Sequence, residues 1–157
     1  MKLQHELKRP VPFASIQQET LIGLLRIGDQ LDNRLSRLLR DLGLTLSRFN
    51  VLRILVLADR PMTCGEIGER MVHIVPAITS LVDHLENQGL VERQRCVEDR
   101  RVVYVCITQA GRKLCDKAMS PLADIEARLL AKLSRTELQS LTGLLEKVRE
   151  SFAAVEV

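Results

Sequence analysis

Four arginines, Arg93, Arg95, Arg100 and Arg101, fall within nine residues of the stretch GLVERQRCVEDRRVVYVCIT at positions 89 to 108. A guanidinium presents its N–H groups as a planar fork that fits the paired oxygens of a phosphate or carboxylate, so this spacing suits anion recognition. Glu92, Glu98 and Asp99 lie among the arginines and lower the local charge. A solvated hairpin laced with ion pairs is therefore the competing expectation. Asp99 serves either one, because a carboxylate beside Arg101 can fix the direction of its guanidinium by a paired hydrogen bond. Other chemistries find little material. Cys64, Cys96, Cys106 and Cys115 show no C-x-x-C spacing, and only His5, His73 and His84 could join them as ligands, so no metal is expected. There is no glycine-rich phosphate loop and no nucleophile with a recognisable base. Asp83 and His84 are sequence neighbours on a predicted helix, where such neighbours do not face each other. No enzyme activity and no cofactor is expected.

The rest of the chain must position that arginine cluster. Its 157 residues suffice for one compact domain, 1–157. Aromatics make up 3% and Trp is absent, so Leu, Ile and Val carry the apolar mass and helix-on-helix packing is expected. The net charge of +3 is too mild to name a partner, because it does not say where the charges sit. No run of about 18 apolar residues is present, and the opening MKLQHELKRPVPF lacks the apolar stretch of a signal peptide. A cytoplasmic protein with no membrane association and four reduced thiols is expected.

Residues 15 to 40 carry Ile16, Leu21, Leu24, Ile27, Leu31, Leu35 and Leu38 at near-helical spacing, closed by Gly43. Thr45 is a fitting N-cap for a second helix with Phe49, Leu52, Leu55 and Val56, ended by Arg60-Pro61. Thr63 and Glu66 have the spacing of a capping box, opening a short helix to about Met71. A further helix is expected from near Pro76 to Asn87, stopped by Gly89. Two strands follow, LVERQR and RVVYVCIT. Thr108 then caps a long helix with Leu114, Met119, Leu122, Ile125, Leu129 and Leu133, and a second capping box, Ser134 with Glu137, opens the last helix, Leu138 to Phe152. The fold class is thus mostly α with a small β-hairpin wing. Residues 45–108 hold the parts of a winged helix-turn-helix, and 13–42 and 109–157 form the flanking helices. Those flanking stripes add more apolar surface than a small lobe can cover, so a homodimer is expected.

In VPAITSLVDHLENQG, residues 75 to 89, Ile78, Leu81, Val82 and Leu85 form the inner face. Pro76, Ala77, Thr79, Ser80 and His84 occupy the outer surface, small enough at its start to enter a major groove of double-stranded DNA about 12 Å wide. The same pattern fits an ordinary amphipathic surface helix. The wing supplies the charge this helix lacks. Val103, Val105 and Ile107 alternate toward the body, which leaves Arg100 and Arg101 at the tip to reach a minor groove, while Arg93 and Arg95 contact phosphates along the strand. A winged-helix module that contacts only another protein remains the alternative.

The segments LTLSRFNVLRIL (44–55), LVDHLENQGLVERQR (81–95), EDRRVVYVCITQAGRKL (98–114) and LSRTELQSLTGLLEKVRE (133–150) resemble the MarR family of winged-helix transcription regulators. The most specific element is the Asp-x-Arg of Asp99 and Arg101, followed by a valine-rich strand and Ile-Thr-x-x-Gly ending at Gly111. The resemblance implies a DNA-binding homodimer whose first and last helices interlock. It implies a ligand-responsive repressor on a pseudo-palindromic operator, with an effector pocket between dimerisation helices and DNA-binding lobe. Carried over by position, Arg101 or Arg100 enters the minor groove, while Pro76, Ala77, Thr79, Ser80 and His84 face the major groove. The chain departs from the family pattern with Ile74, Val75 and Pro76 opening the recognition helix and with Ser80 where an arginine is common. No cysteine precedes Cys64, which disfavours peroxide sensing through a first-helix thiol; Cys96, near the wing tip, is the thiol expected to be most exposed.

Overall fold

The computed structural model describes residues 2–73 and 77–155. They fall into two compact units, one ending at Met119 and the other starting at Ser120.

The first unit opens with a short helix, α1 (Leu3–Glu6), for which the sequence carries no helical signal. Four residues are too few to show an apolar period. Glu6 holds α1 to the next helix by accepting from Arg26 Nε and Gln30 Nε2, both at 3.0 Å. That helix, α2 (Ile16–Arg40), begins where Ser15 accepts from the Gln18 amide, and Gly43 follows it at φ 73°, a left-handed turn that glycine adopts without strain. Helix α3 (Leu46–Ala58) is capped by Thr45 as expected and buries Phe49, Val51, Leu52 and Leu55. It stops earlier than Arg60-Pro61 would require. Asp59 turns left-handed at φ 48° and its amide bonds the Leu55 carbonyl, so the helix is already closed when the proline arrives.

Strand β1 (Met62–Thr63) was not expected, since two residues carry no alternation to read. Thr63 and Glu66 form the expected capping box on α4 (Cys64–Gly68), which ends short of Met71. Helix α5 (Ile78–Asn87) starts after Ala77; the expected start near Pro76 lies outside the described residues. Gly89, at φ 68°, releases the chain into β2 (Val91–Arg95), which pairs antiparallel with β3 (Val103–Ile107), Val91 opposite Ile107 and Arg95 opposite Val103. The sheet order is β1-β3-β2, so the valine-rich strand is central and Val105 is fully buried. Phe49, Leu52, Met62, Ile67, Val82, Leu85 and Cys115 are among the other buried core residues. Thr108 then starts α6 (Gln109–Leu129): its hydroxyl donates to the Gly89 carbonyl and accepts from the Gly111 amide.

The second unit comprises the later part of α6, with Pro121 inside it, and α7 (Arg135–Ala154). The expected long helix ends at Leu129, and Leu133 sits in the turn after it, where its amide bonds the Leu130 carbonyl. Ser134 and Glu137 form the second capping box. None of the residues of α7 is buried. No helix among the described residues is long and apolar enough to cross a membrane.

Candidate nucleic-acid interface

Helix α5 is amphipathic in the way its sequence requires. Val82 and Leu85 are fully buried, while Ala77, Thr79, Ser80 and His84 are exposed. Pro76 lies outside the described residues. His84 Nδ1 sits 2.7 Å from the Ser80 carbonyl oxygen. A carbonyl only accepts, so Nδ1 carries the hydrogen, and in the neutral ring Nε2 is left as an acceptor for an outside partner. Asp83 and His84 form no pair.

Strand β2 runs beside this helix, and here one expectation meets a different geometry. Arg93, read from sequence as a phosphate contact, is turned onto α5. Its guanidinium donates to Asp83 at 2.6 Å, to Glu86, and to the Thr79 carbonyl at 3.4 Å, while its own amide donates to Glu86 at 3.0 Å. Partial burial pulls the guanidinium pKa down, but Asp83 and Glu86 outweigh that and hold it above its usual value. Arg93 is a charge already occupied. Spacing alone could not reveal this, although Asp83 and Glu86, three apart on one helix face, are the pattern that would receive a cation from a neighbouring element.

The other wing arginines lie in solvent. Arg95, Arg100 and Arg101 are exposed, and their side chains make no hydrogen bond or ion pair among the described residues. Asp99 does not aim the Arg101 guanidinium. Its carboxylate instead accepts from the Arg101 backbone amide at 2.9 Å, and its carbonyl accepts from the Val102 amide at 2.9 Å. The short side chain reaches its neighbour's main chain more easily than the far end of an arginine, which is the ordinary turn chemistry of Asp. Asp99 therefore shapes the wing tip and leaves both arginines unengaged.

The thiols are mostly structural in placement. Cys115 is buried, and desolvation chiefly raises its pKa, as it does for half-buried Cys106, where Glu92 adds to the effect. Cys96 is half-buried, as are Cys64 and Cys106. The Arg60–Glu66 pair at 2.6 Å, continuous with the Thr63 capping box, braces the turn before α4. Arg112 ties the start of α6 to Asp59 at 2.8 Å.

Comparison with known proteins places this arrangement. The MarR family model matches residues 44–103, the span from the start of α3 to β3. A transcriptional repressor of the helix-turn-helix type from Mycobacterium tuberculosis is 30% identical over 126 residues, covering 80% of this chain and 89% of that protein. The homoprotocatechuate degradative operon repressor of Escherichia coli is 28% identical over 106 residues, 67% of this chain and 70% of the repressor. Among solved structures, wild-type MarR from E. coli superposes with a TM-score of 0.66 at 26% identity, covering 88% of this chain and 98% of that one. An organohalide-sensing regulator bound to 2,4-dichlorophenol shares the fold at a TM-score of 0.81 and 16% identity, over 91% of this chain and 87% of its own. With its exposed α5 face, its arginine-tipped wing and these relatives, the chain belongs to the MarR family and is a DNA-binding winged helix-turn-helix transcriptional regulator.

Proposed function

We propose that this regulator is a ligand-responsive repressor that binds a pseudo-palindromic operator as a homodimer in the cytoplasm. The observation that carries the reading is the pairing of the exposed, uncharged Ala77, Thr79, Ser80 and His84 at α5 with three exposed arginines on the adjacent wing that are unengaged among the described residues. In this reading residues 45–108 are the DNA-binding lobe. Ala77, Thr79, Ser80 and His84 face the major groove, with Pro76 kept in the set by its place in the sequence. Arg101 enters the minor groove beside it, Asp99 shapes the tip that presents it, and Arg100 and Arg95 meet phosphates. Helices from 13–42 and 109–157 form the dimerisation region. The support is exposed apolar side chains on the helices of each unit: Leu25 of α2 is 75% exposed, and Leu144 and Phe152 of α7 are 59% and 65% exposed. Monomers rarely keep such stripes in water. A two-fold dimer sets its two recognition helices about 34–36 Å apart, one turn of duplex.

An effector of phenolic type is the chemistry favoured by the relatives, one a repressor of homoprotocatechuate degradation and one a structure holding a chlorophenol. The test is selection of genomic DNA fragments by the purified protein, followed by titration of the winning duplex at several salt concentrations and with a panel of phenols. Tight, salt-dependent binding to an inverted repeat, released by one phenol, is expected. Failure to bind any duplex more tightly as salt falls would favour a protein-interaction module instead.

A further inference from the structure

We infer that Arg93 is a positioning residue for operator reading, fixing recognition helix α5 against the wing, rather than a contact to DNA. The inference rests on the placement of α5 in the major groove proposed above. Three observations on the bridge carry it.

The first is charge. One guanidinium is shared by two carboxylates, Asp83 at 2.6 Å and Glu86, so the cluster sums to one net negative charge. A DNA phosphate approaching this spot meets repulsion, unlike at Arg95, Arg100 or Arg101. The second is reach. The fork extends from Asp83 and Glu86 to the Thr79 carbonyl in the first turn of α5, while the Arg93 amide is held by Glu86 from the same helix. One residue of β2 thus grips α5 at three points along its length, which fixes rotation of the helix about its own axis as well as its distance from the strand. The third is the weakness of the alternative. The N-terminal end of α5 has no side-chain cap, since Ala77 offers no oxygen, so the first turn draws no local anchor from its cap residue. That first turn carries Thr79 and Ser80.

A helix free to turn a few degrees would keep its charge and lose its register on the base edges. Base contacts specify and phosphate contacts position, so the two roles separate in the laboratory. The experiment uses the full-length protein, the duplex selected from genomic fragments, and a scrambled duplex of equal length and composition. Arg93→Lys keeps the charge but not the fork; Asp83→Asn and Glu86→Gln keep Arg93 and weaken its grip. All three are expected to lower the ratio of operator to scrambled affinity on the order of tenfold. For Arg93→Lys, affinity for the scrambled duplex and the slope of log K against log salt should stay as in the wild type; Asp83→Asn and Glu86→Gln each remove a negative charge and should raise affinity for both duplexes alike, so for them the affinity ratio is the readout. Thermal unfolding reports whether each variant is folded under the binding conditions. An Arg93→Gln variant whose salt slope falls by about 1, with Arg93→Lys restoring it, would make Arg93 a phosphate contact and overturn the inference. So would folded variants that keep the full affinity ratio, because the bridge would then serve stability alone. A wild type that does not discriminate between the duplexes would instead refute the placement of α5 on which the inference rests.

Discussion

Gly111 closes the Ile-Thr-x-x-Gly motif, and the structure gives it a steric reason that can be tested by a single methyl group. A Cβ built at Gly111 would collide with the Leu90 carbonyl oxygen and lie 3.1 Å from its carbon and 2.9 Å from Ile107 Cγ1. The first contact is with main chain, and that main chain is committed. Leu90 O already accepts from the Thr108 amide at 3.1 Å, and Gly89 O from the Thr108 hydroxyl at 2.8 Å. To admit the methyl group, α6 must slide away from the junction of α5 and β2 and stretch both bonds. Overpacking of this kind costs typically about 1–3 kcal/mol, and a fixed carbonyl places Gly111→Ala in the upper half, about 2–3 kcal/mol. In a protein of this size each kcal/mol shifts Tm by roughly 2–4 °C, so Tm should fall by about 4–12 °C. Gly143→Ala on α7 is the control, because nothing lies within 4 Å of its added Cβ. Replacing a helical glycine there should stabilise by about 0.5–1 kcal/mol, a rise of about 1–4 °C. Both are read by circular dichroism melts at one protein concentration, since self-association makes Tm depend on it. A Gly111→Ala protein melting within a degree of wild type would refute the close approach of α6 to Leu90.

Three further outcomes are expected. The Thr63 amide and the Arg60 guanidinium hold the Glu66 carboxyl down to about 2 from an ordinary 4.5. A depressed carboxylate stabilises the fold above its unfolded pKa and stops doing so as pH falls through the folded one, so Glu66→Gln should melt below wild type at pH 7. The gap should close between about pH 4.5 and about pH 2; a gap unchanged across that window would refute the role of the charge. In operator titrations, Arg100→Ala should reduce the salt slope by about 1, and Arg101→Ala should cost on the order of 1–3 kcal/mol, most on A·T-rich flanks. Unchanged affinity in both would return the wing to the solvated-hairpin reading. Leu144→Glu, placing a charge on the exposed stripe of α7, should shift sedimentation from dimer to monomer, and a dimer that persists would remove that stripe from the interface.

Much of the site's framework was legible in the chain because its signals are local. Thr45, Thr63 with Glu66, and Ser134 with Glu137 each cap an amide three residues away, and Gly43 and Gly89 take the left-handed turns that only small residues accept cheaply. The period of Ile78, Leu81, Val82 and Leu85 fixed which face of α5 turns inward. Alternation in Val103, Val105 and Ile107 found the central strand but not its partner β1, whose two residues have no period and exist as a strand only because Val105 and Tyr104 lie opposite them. The same limit applies to charge. Arg93, Arg95, Arg100 and Arg101 look alike in the sequence, yet Arg93 lies 10 positions from Asp83 and 14 from Thr79, separations at which pairing depends on how helix and strand pack. Asp99 and the Arg101 amide are two residues apart, but a turn had to form before the carboxylate chose backbone over guanidinium. Residue type and short spacing determine elements, caps and inner faces, because hydrogen-bond geometry and helical pitch act within a few residues. Which arginines remain available to an anion is decided only when the folded chain brings distant carboxylates to one of them and leaves the others in water.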